Sequence, residues 1–102
     1  MDQVDHQKIE QERFDFLKLI YDLSDGNSSR VVSWRDRGEN LRFSGEKITE
    51  LIKYLYQEGL VKIESENNVS ITDSGANEIG RKLTNPENPT EHFGEGVITN
   101  IK

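Results

Sequence analysis

The sequence predicts a small α+β domain in which helices pack against a β-hairpin. Apolar residues recur at helical spacing over residues 14–23 and 48–55. Between residues 61 and 71, apolar and polar side chains alternate, which is the period of a strand with one buried face. A chain of 102 residues supplies one modest core and is too short for two domains.

The first helix is predicted to begin near Ile9 and to end at Gly26 or Asn27, where a left-handed residue would stop it. Residues 1–7 lack apolar periodicity, so we expect them to fray. We expect this helix to be structural, with an apolar face made of Phe14, Leu17, Ile20, Tyr21 and Leu23.

A short strand at residues 31–32 and a second helix over residues 34–40 are predicted next. Ser33 is positioned to cap this helix at its N-terminus. Gly38 costs about 1 kcal/mol relative to alanine inside a helix, so this is the weakest of the predicted helices. Phe43 is expected to lie in the core beneath the turn that follows.

The third helix carries the clearest signals. Ser44 is a good N-cap because its hydroxyl can accept a hydrogen bond from a free amide of the first turn. Gly59 stands where a left-handed C-terminal cap is needed, and Leu60 can fold back as its apolar contact. The buried stripe is expected to consist of Ile48, Leu51, Ile52 and Leu55, and Tyr56 is also expected in the core.

A hairpin and a fourth helix complete the predicted domain. Val61, Ile63, Val69 and Ile71 are expected to face the core, with the turn at residues 66–68. Thr72 or Asp73 is expected to cap a helix that runs to Leu83. The apolar stripe of this helix is predicted to be Ala76, Ile79 and Leu83, and Arg81 and Lys82 suit the negative end of its dipole.

The predicted domain covers residues 1–83 and is followed by a flexible tail or linker over residues 84–102. Two prolines interrupt regular structure between residues 84 and 90. The alternation at Val97, Thr99 and Ile101 leaves two alternatives. The tail folds back on the domain, or the chain is the N-terminal part of a longer protein, which we favour.

The order of these elements, with YLYQEGLV before the hairpin and ITDSG after it, resembles the winged helix-turn-helix of bacterial transcription regulators. The resemblance covers roughly residues 8–83. It implies a three-helix core in which the helix after Ser44 is the recognition helix, the hairpin is the wing, and residues 31–32 pair with it. It further implies DNA binding in transcription regulation, without catalysis or a cofactor.

Charge qualifies the expectation of DNA binding. The chain carries a net charge of −6, whereas nucleic-acid-binding modules usually show a basic surface. Residues 30–62 hold seven basic against five acidic residues, and each flanking segment holds three against seven. The predicted contacts to nucleic acid lie in this basic third and are Arg30, Arg35, Arg37, Arg42, Ser44, Lys47, Thr49, Lys53 and Gln57.

The alternative is a protein-interaction or oligomerisation module that binds no nucleic acid. The acidic first helix and the acidic hairpin would suit a protein surface, as would Tyr54 and Tyr56 if, on this alternative, they are exposed. Phe14 or Tyr21 could instead dock a second copy. The expected partners are therefore double-stranded DNA, a twin subunit, or the rest of a longer protein beyond the tail.

Enzyme, metal and membrane functions have no support in the sequence. There are no cysteines, and His6 and His92 lie near the ends, where we expect solvated side chains. We expect no catalytic residues, no metal and no cofactor. No apolar run approaches the ~20 residues of a membrane span, and the N-terminus is too polar for a signal peptide, so a soluble cytoplasmic protein is expected.

Overall fold

The computed structural model describes residues 2–34, 43–97 and 99. Within these ranges the chain has the small α+β fold that the sequence predicts. The elements are α1 (Asp2–Ser24), β1 (Val32–Ser33), α2 (Gly45–Gln57), β2 (Val61–Ser65), β3 (Asn68–Ile71) and α3 (Asp73–Thr84). The predicted second helix lies outside the described residues, apart from Trp34. None of the helices in these ranges is long and apolar enough to cross a membrane.

Helix α1 lies against α2, α3 and β3 and supplies the largest core side chains. It begins at Asp2, so the predicted start near Ile9 is wrong. Helix formers such as glutamine and lysine extend the helix past its apolar face. The predicted stop is confirmed at Gly26 (φ 69°), with Asp25 (φ 55°) also left-handed. The fully buried residues of α1 include Phe14, Phe16, Leu17 and Ile20.

Both predicted caps of α2 are confirmed. The Ser44 hydroxyl accepts a hydrogen bond from the Lys47 N–H at 3.1 Å. At the other end, Gly59 is left-handed (φ 76°). Its N–H donates to the Tyr56 carbonyl at 3.0 Å, and the Leu60 N–H donates to the Leu55 carbonyl at 2.8 Å. This pair of bonds is the Schellman arrangement, which satisfies carbonyls that the helix end would leave unpaired.

The three strands form an antiparallel sheet in the order β1-β3-β2. Val32 pairs with Val69, which confirms a strand before α2 that joins the hairpin. The prediction that Ile63 is buried is wrong, since 48% of the residue is exposed. Ile63 shares a face with the buried Val61, as the strand period requires. Ile63 stays exposed because an open cavity separates this part of the hairpin from α2.

The end of α2 and the start of α3 are joined by Thr72. Its hydroxyl accepts from the Gly75 N–H at 3.0 Å, which confirms it as the N-cap of α3, and donates to the Gly59 carbonyl at 2.6 Å. The Thr72 N–H donates to the Leu60 carbonyl at 3.0 Å. A Cβ on Gly75 would lie only 2.2 Å from that same carbonyl oxygen. The residues that end α2 (58–60) and those that begin α3 (71–75) therefore contact each other directly.

Two charged residues join the predicted apolar stripe of α3, of which Ile79 is buried and Ala76 packs against the core. Glu78 and Lys82 are buried beside Ile79, whereas Leu83 is 39% exposed, so its assignment to the stripe is wrong. Lys82 lies in the last turn of α3, as predicted, but its side chain is buried. Its ammonium instead donates to three backbone carbonyls of the chain that follows.

The chain beyond α3 folds back onto the helices. Phe93 is 1% exposed and Val97 is 6% exposed. The Phe93 ring meets Phe14 edge to face, with centroids 5.3 Å apart. The core therefore extends past the predicted boundary at Leu83. Of the two alternatives for the tail, residues 85–97 adopt the folded-back one.

Candidate functional site

The exposed side of α2 is the surface that the sequence analysis assigned to binding. The buried stripe of α2 fixes which residues face outward, and all four members predicted for that stripe are buried. The outward residues are Glu46, Thr49, Glu50, Lys53, Tyr56 and Gln57, and we call this set the α2 face. It carries two carboxylates and one ammonium group.

Two predicted cationic contacts are already neutralised within the domain. The Lys47 ammonium lies 2.9 Å from a carboxylate oxygen of Glu12 on α1, in a half-buried ion pair. The Arg30 guanidinium lies 3.0 Å from a carboxylate oxygen of Asp25. Both acidic partners lie outside the basic third of the sequence, which is why counting charges along the chain did not reveal the pairs.

The remaining predicted contacts divide into three groups. Ser44 is used as the helix cap. Thr49, Lys53 and Gln57 are exposed on the α2 face, although the Thr49 hydroxyl donates to the Gly45 carbonyl at 3.0 Å. The other three predicted contacts, Arg35, Arg37 and Arg42, lie outside the described residues.

An open cavity of about 420 Å³ lies between α2 and the hairpin. Thr49 and Lys53 stand on its α2 side, and Ile63 and Glu66 on its hairpin side. The rest of the lining is made of Trp34, Ile52, Ser65 and Val69. Two of the nine predicted contacts thus share one concave surface.

Tyr56 is placed differently from the expectation, whereas Phe14 lies in the core as predicted. Tyr56 is 54% exposed, so its predicted burial is wrong: it lies one turn beyond Lys53, on the outer side of the stripe. Tyr54 lies under the Arg13 guanidinium, 3.6 Å from the ring centroid. Burial raises the pKa of the Tyr54 phenol, an effect that the Arg13 charge opposes. Phe14 is fully buried and cannot dock a second copy.

The hairpin offers little free positive charge. Lys62 lies 3.9 Å from Glu64, whose carboxylate also accepts from the Ser70 hydroxyl at 2.7 Å. Glu66 stands exposed in the hairpin turn. An acidic hairpin of this kind repels a phosphate backbone.

A second cluster, around His92, was not found from the sequence. Its ring lies between the carboxylates of Glu58, at the end of α2, and Glu78, on α3. The expectation that His92 is a solvated residue is therefore wrong. The sequence feature that could have revealed the cluster is the helical spacing of residues 75, 78, 79 and 82, which places them on one buried face of α3. The charges of Glu78 and Lys82 concealed that face from an apolar pattern.

The ring and the carboxylates of the His92 cluster are occupied by hydrogen bonds. Ligand-type atoms of Glu78, Glu91 and His92 lie within 4.8 Å of one another. However, both ring nitrogens of His92 and both carboxylate oxygens of Glu78 already form hydrogen bonds. A ring nitrogen of His92 would have to give up its carboxylate partner before it could bind a cation.

Comparison of the chain with protein-family models, curated proteins and solved structures finds no match. The geometry and charge of the α2 face are therefore the features that indicate a function.

Proposed function

We propose that this domain is a winged-helix-type module that binds another protein through the α2 face. The order of helix, strand, helix, hairpin and helix supports the winged-helix interpretation. The observation that carries the proposal is the composition of the face. It combines the exposed ring of Tyr56 with the carboxylates of Glu46 and Glu50, against the single cation of Lys53.

This composition suits a basic protein surface. Tyrosine is enriched at protein interfaces because its ring buries a large area while its hydroxyl remains able to form hydrogen bonds. Carboxylates around such an aromatic residue select a positively charged partner and disfavour an acidic one. The expected partner is therefore a protein that offers lysine or arginine side chains around an apolar pocket for Tyr56.

The internal ion pairs argue against DNA as the main ligand. Affinity for DNA comes largely from cations that displace the counterions of phosphate groups. Lys47 and Arg30 are each paired with a carboxylate of the domain itself, which reduces the positive charge that they offer to a phosphate. Glu46 and Glu50 would lie close to the phosphates and would be repelled by them.

DNA binding in transcription regulation stays the second candidate because of one specific observation. Thr49, Lys53 and Gln57 follow one another at four-residue spacing on the α2 face, which places them on nearly one line along the helix. Such a line of polar side chains could reach base edges in a major groove. Arg35, Arg37 and Arg42 precede this helix in the sequence and could add phosphate contacts.

Site-specific crosslinking in cells of the source organism tests the main proposal. A photoreactive phenylalanine derivative at Gln57, on the α2 face, is expected to capture a discrete protein. The same group at the exposed Leu83 of α3 is the matched control and should not capture it. Charge reversal in Glu50→Lys and truncation in Tyr56→Ala should both abolish the crosslink. A crosslink that survives both substitutions, or one that forms equally from Leu83, would contradict the proposal.

Fluorescence anisotropy with a randomised DNA duplex separates the two candidates. We expect no binding by the wild-type protein at low salt. Binding that weakens steeply with salt, and that Lys53→Glu removes, would establish the DNA candidate instead.

A further inference from the structure

The chain that follows α3 is fastened to the domain by both apolar and polar contacts. Phe93 lies buried against Phe14 of α1. The Lys82 ammonium donates to the carbonyls of Pro86 (2.7 Å), Asn88 (3.3 Å) and Gly94 (2.9 Å). We call residues 85–97 the C-terminal segment. Its backbone wraps around the end of the Lys82 side chain, which satisfies all three ammonium protons.

Glu78 holds the same segment from the other side. One carboxylate oxygen accepts from the Thr90 hydroxyl at 2.6 Å and from the His92 N–H at 3.0 Å. The second oxygen bonds to Nδ1 of the His92 ring. Glu78 is 2% exposed, so these contacts replace the water that its carboxylate would otherwise bind.

The two nitrogens of the His92 ring both face carboxylates. Nδ1 bonds to Glu78, and Nε2 lies 3.0 Å from a carboxylate oxygen of Glu58. A neutral imidazole has one N–H donor, and its other nitrogen is an acceptor. A carboxylate cannot donate to that acceptor. Both hydrogen bonds can therefore form together only when the ring is a positively charged imidazolium.

The electrostatic surroundings also favour the charged ring. Burial lowers the pKa of His92, but the hydrogen bonds and charges of Glu78 and Glu58 outweigh it, so the pKa lies above the ordinary 6.5. The packed elements bring further titratable and charged groups to this region, two carboxylates, two cations and a phenol. They are Glu10 and Arg13 of α1, Tyr54 of α2, Lys82 of α3 and Glu91 of the segment itself.

We propose that His92 is a pH-sensitive clasp, whose imidazolium ties the C-terminal segment to α2 and α3 and whose deprotonation loosens the segment while the helix–sheet core stays folded. The contribution is complete below the pKa of a free histidine and is lost as the pH rises through the higher pKa of the docked ring. The segment supplies only Phe93 and Val97 to the buried core, so its release leaves most of the core intact.

Titration of the His92 ring by NMR tests the charge state directly. We expect its midpoint to lie above the ordinary 6.5, with a histidine in a short unstructured peptide as the control. Glu58→Gln removes one carboxylate from a partly exposed position and should lower the His92 midpoint. A midpoint at or below that of the control peptide, or one that Glu58→Gln leaves unchanged, would overturn the proposal.

Hydrogen exchange of backbone amides tests the release. Between about pH 6 and about pH 8.5, after correction for intrinsic exchange rates, the amides of Phe93 and Val97 should lose protection. Those of Val69 and Ile71 in β3 should keep it. In His92→Gln, the segment should be weakly protected at both pH values. Equal protection of the wild-type segment at both pH values would refute the clasp, as would a pH response that persists in His92→Gln.

Discussion

Gly75 provides the sharpest test of how the end of α2 is joined to the start of α3. In Gly75→Ala, the new Cβ would lie 2.2 Å from the Leu60 carbonyl oxygen and 3.0 Å from Cγ1 of Ile71. The oxygen belongs to the backbone, so no side chain can rotate away. The N-terminus of α3 must move by about 1 Å to restore a normal contact of at least about 3 Å.

The change in the free energy of unfolding of Gly75→Ala is the sum of three contributions. Overpacking of this kind typically costs about 1–3 kcal/mol. The displaced helix also strains the hydrogen bonds that Thr72 makes with Gly59 and Leu60, each of which contributes about 1 kcal/mol. Alanine offsets about 1 kcal/mol of this loss, because it stabilises a helix more than glycine does. If about half of the hydrogen-bond contribution is lost, we expect a net loss of about 1–3 kcal/mol in the free energy of unfolding.

Urea denaturation followed by circular dichroism measures this loss. With a slope of about 1 kcal/mol per molar urea, the midpoint should fall by about 1–3 M. Gly45→Ala is the matched control, because a Cβ there meets nothing within 4 Å, and it should be neutral or stabilising by up to about 1 kcal/mol. If Gly75→Ala were as stable as Gly45→Ala, the close packing of α3 on the Leu60 carbonyl would be refuted.

Three further substitutions probe other contacts by the same measurement. Lys82→Met leaves three carbonyls without their donor and should cost about 2–4 kcal/mol; its control, Lys62→Met on the exposed hairpin, should change stability by less than about 0.5 kcal/mol. Thr72→Ala removes a helix cap and should cost about 1–2 kcal/mol. Burial raises the pKa of the Asp15 carboxyl, with the hydrogen bond from Gln11 opposing it. Asp15→Asn should therefore stabilise the fold at neutral pH, and this gain should vanish as the pH falls below the pKa of Asp15.

Each of these results has an outcome that would contradict it. Equal effects of the two lysine substitutions would show that the buried ammonium does not hold the C-terminal segment. A Thr72→Ala variant with wild-type stability would contradict the shared cap. A raised pKa for an acid means that charging it opposes folding. Destabilisation by Asp15→Asn at neutral pH would therefore contradict a raised pKa of the Asp15 carboxyl.

The parts of the fold that could be predicted are those with local signals. Ser44, Gly59 and Thr72 each satisfy backbone groups within a few residues of themselves, so their residue types alone indicate a helix end. The alternation in the hairpin likewise depends only on neighbours along the chain. These features gave the boundaries of α2 and the order of elements after it.

The candidate site was harder to predict because its contacts join distant parts of the chain. Lys47 is 35 positions from Glu12, and no periodicity reports which carboxylate an exposed lysine will meet. The buried side of α3 was missed for another reason. Glu78 and Lys82 are buried only because the C-terminal segment offers them donors and carbonyls, and that segment has no apolar pattern beyond Phe93 and Val97.

The enclosure of Lys82 makes this residue a chemical reporter. An amine-reactive reagent must reach the ammonium group, which is 0% exposed and surrounded by three carbonyl oxygens. Exposed lysines such as Lys53 should therefore be labelled at once, and Lys82 only at the rate at which residues 85–97 leave the domain. The extent of labelling at Lys82, read by mass spectrometry, thus counts opening events in the unmodified protein.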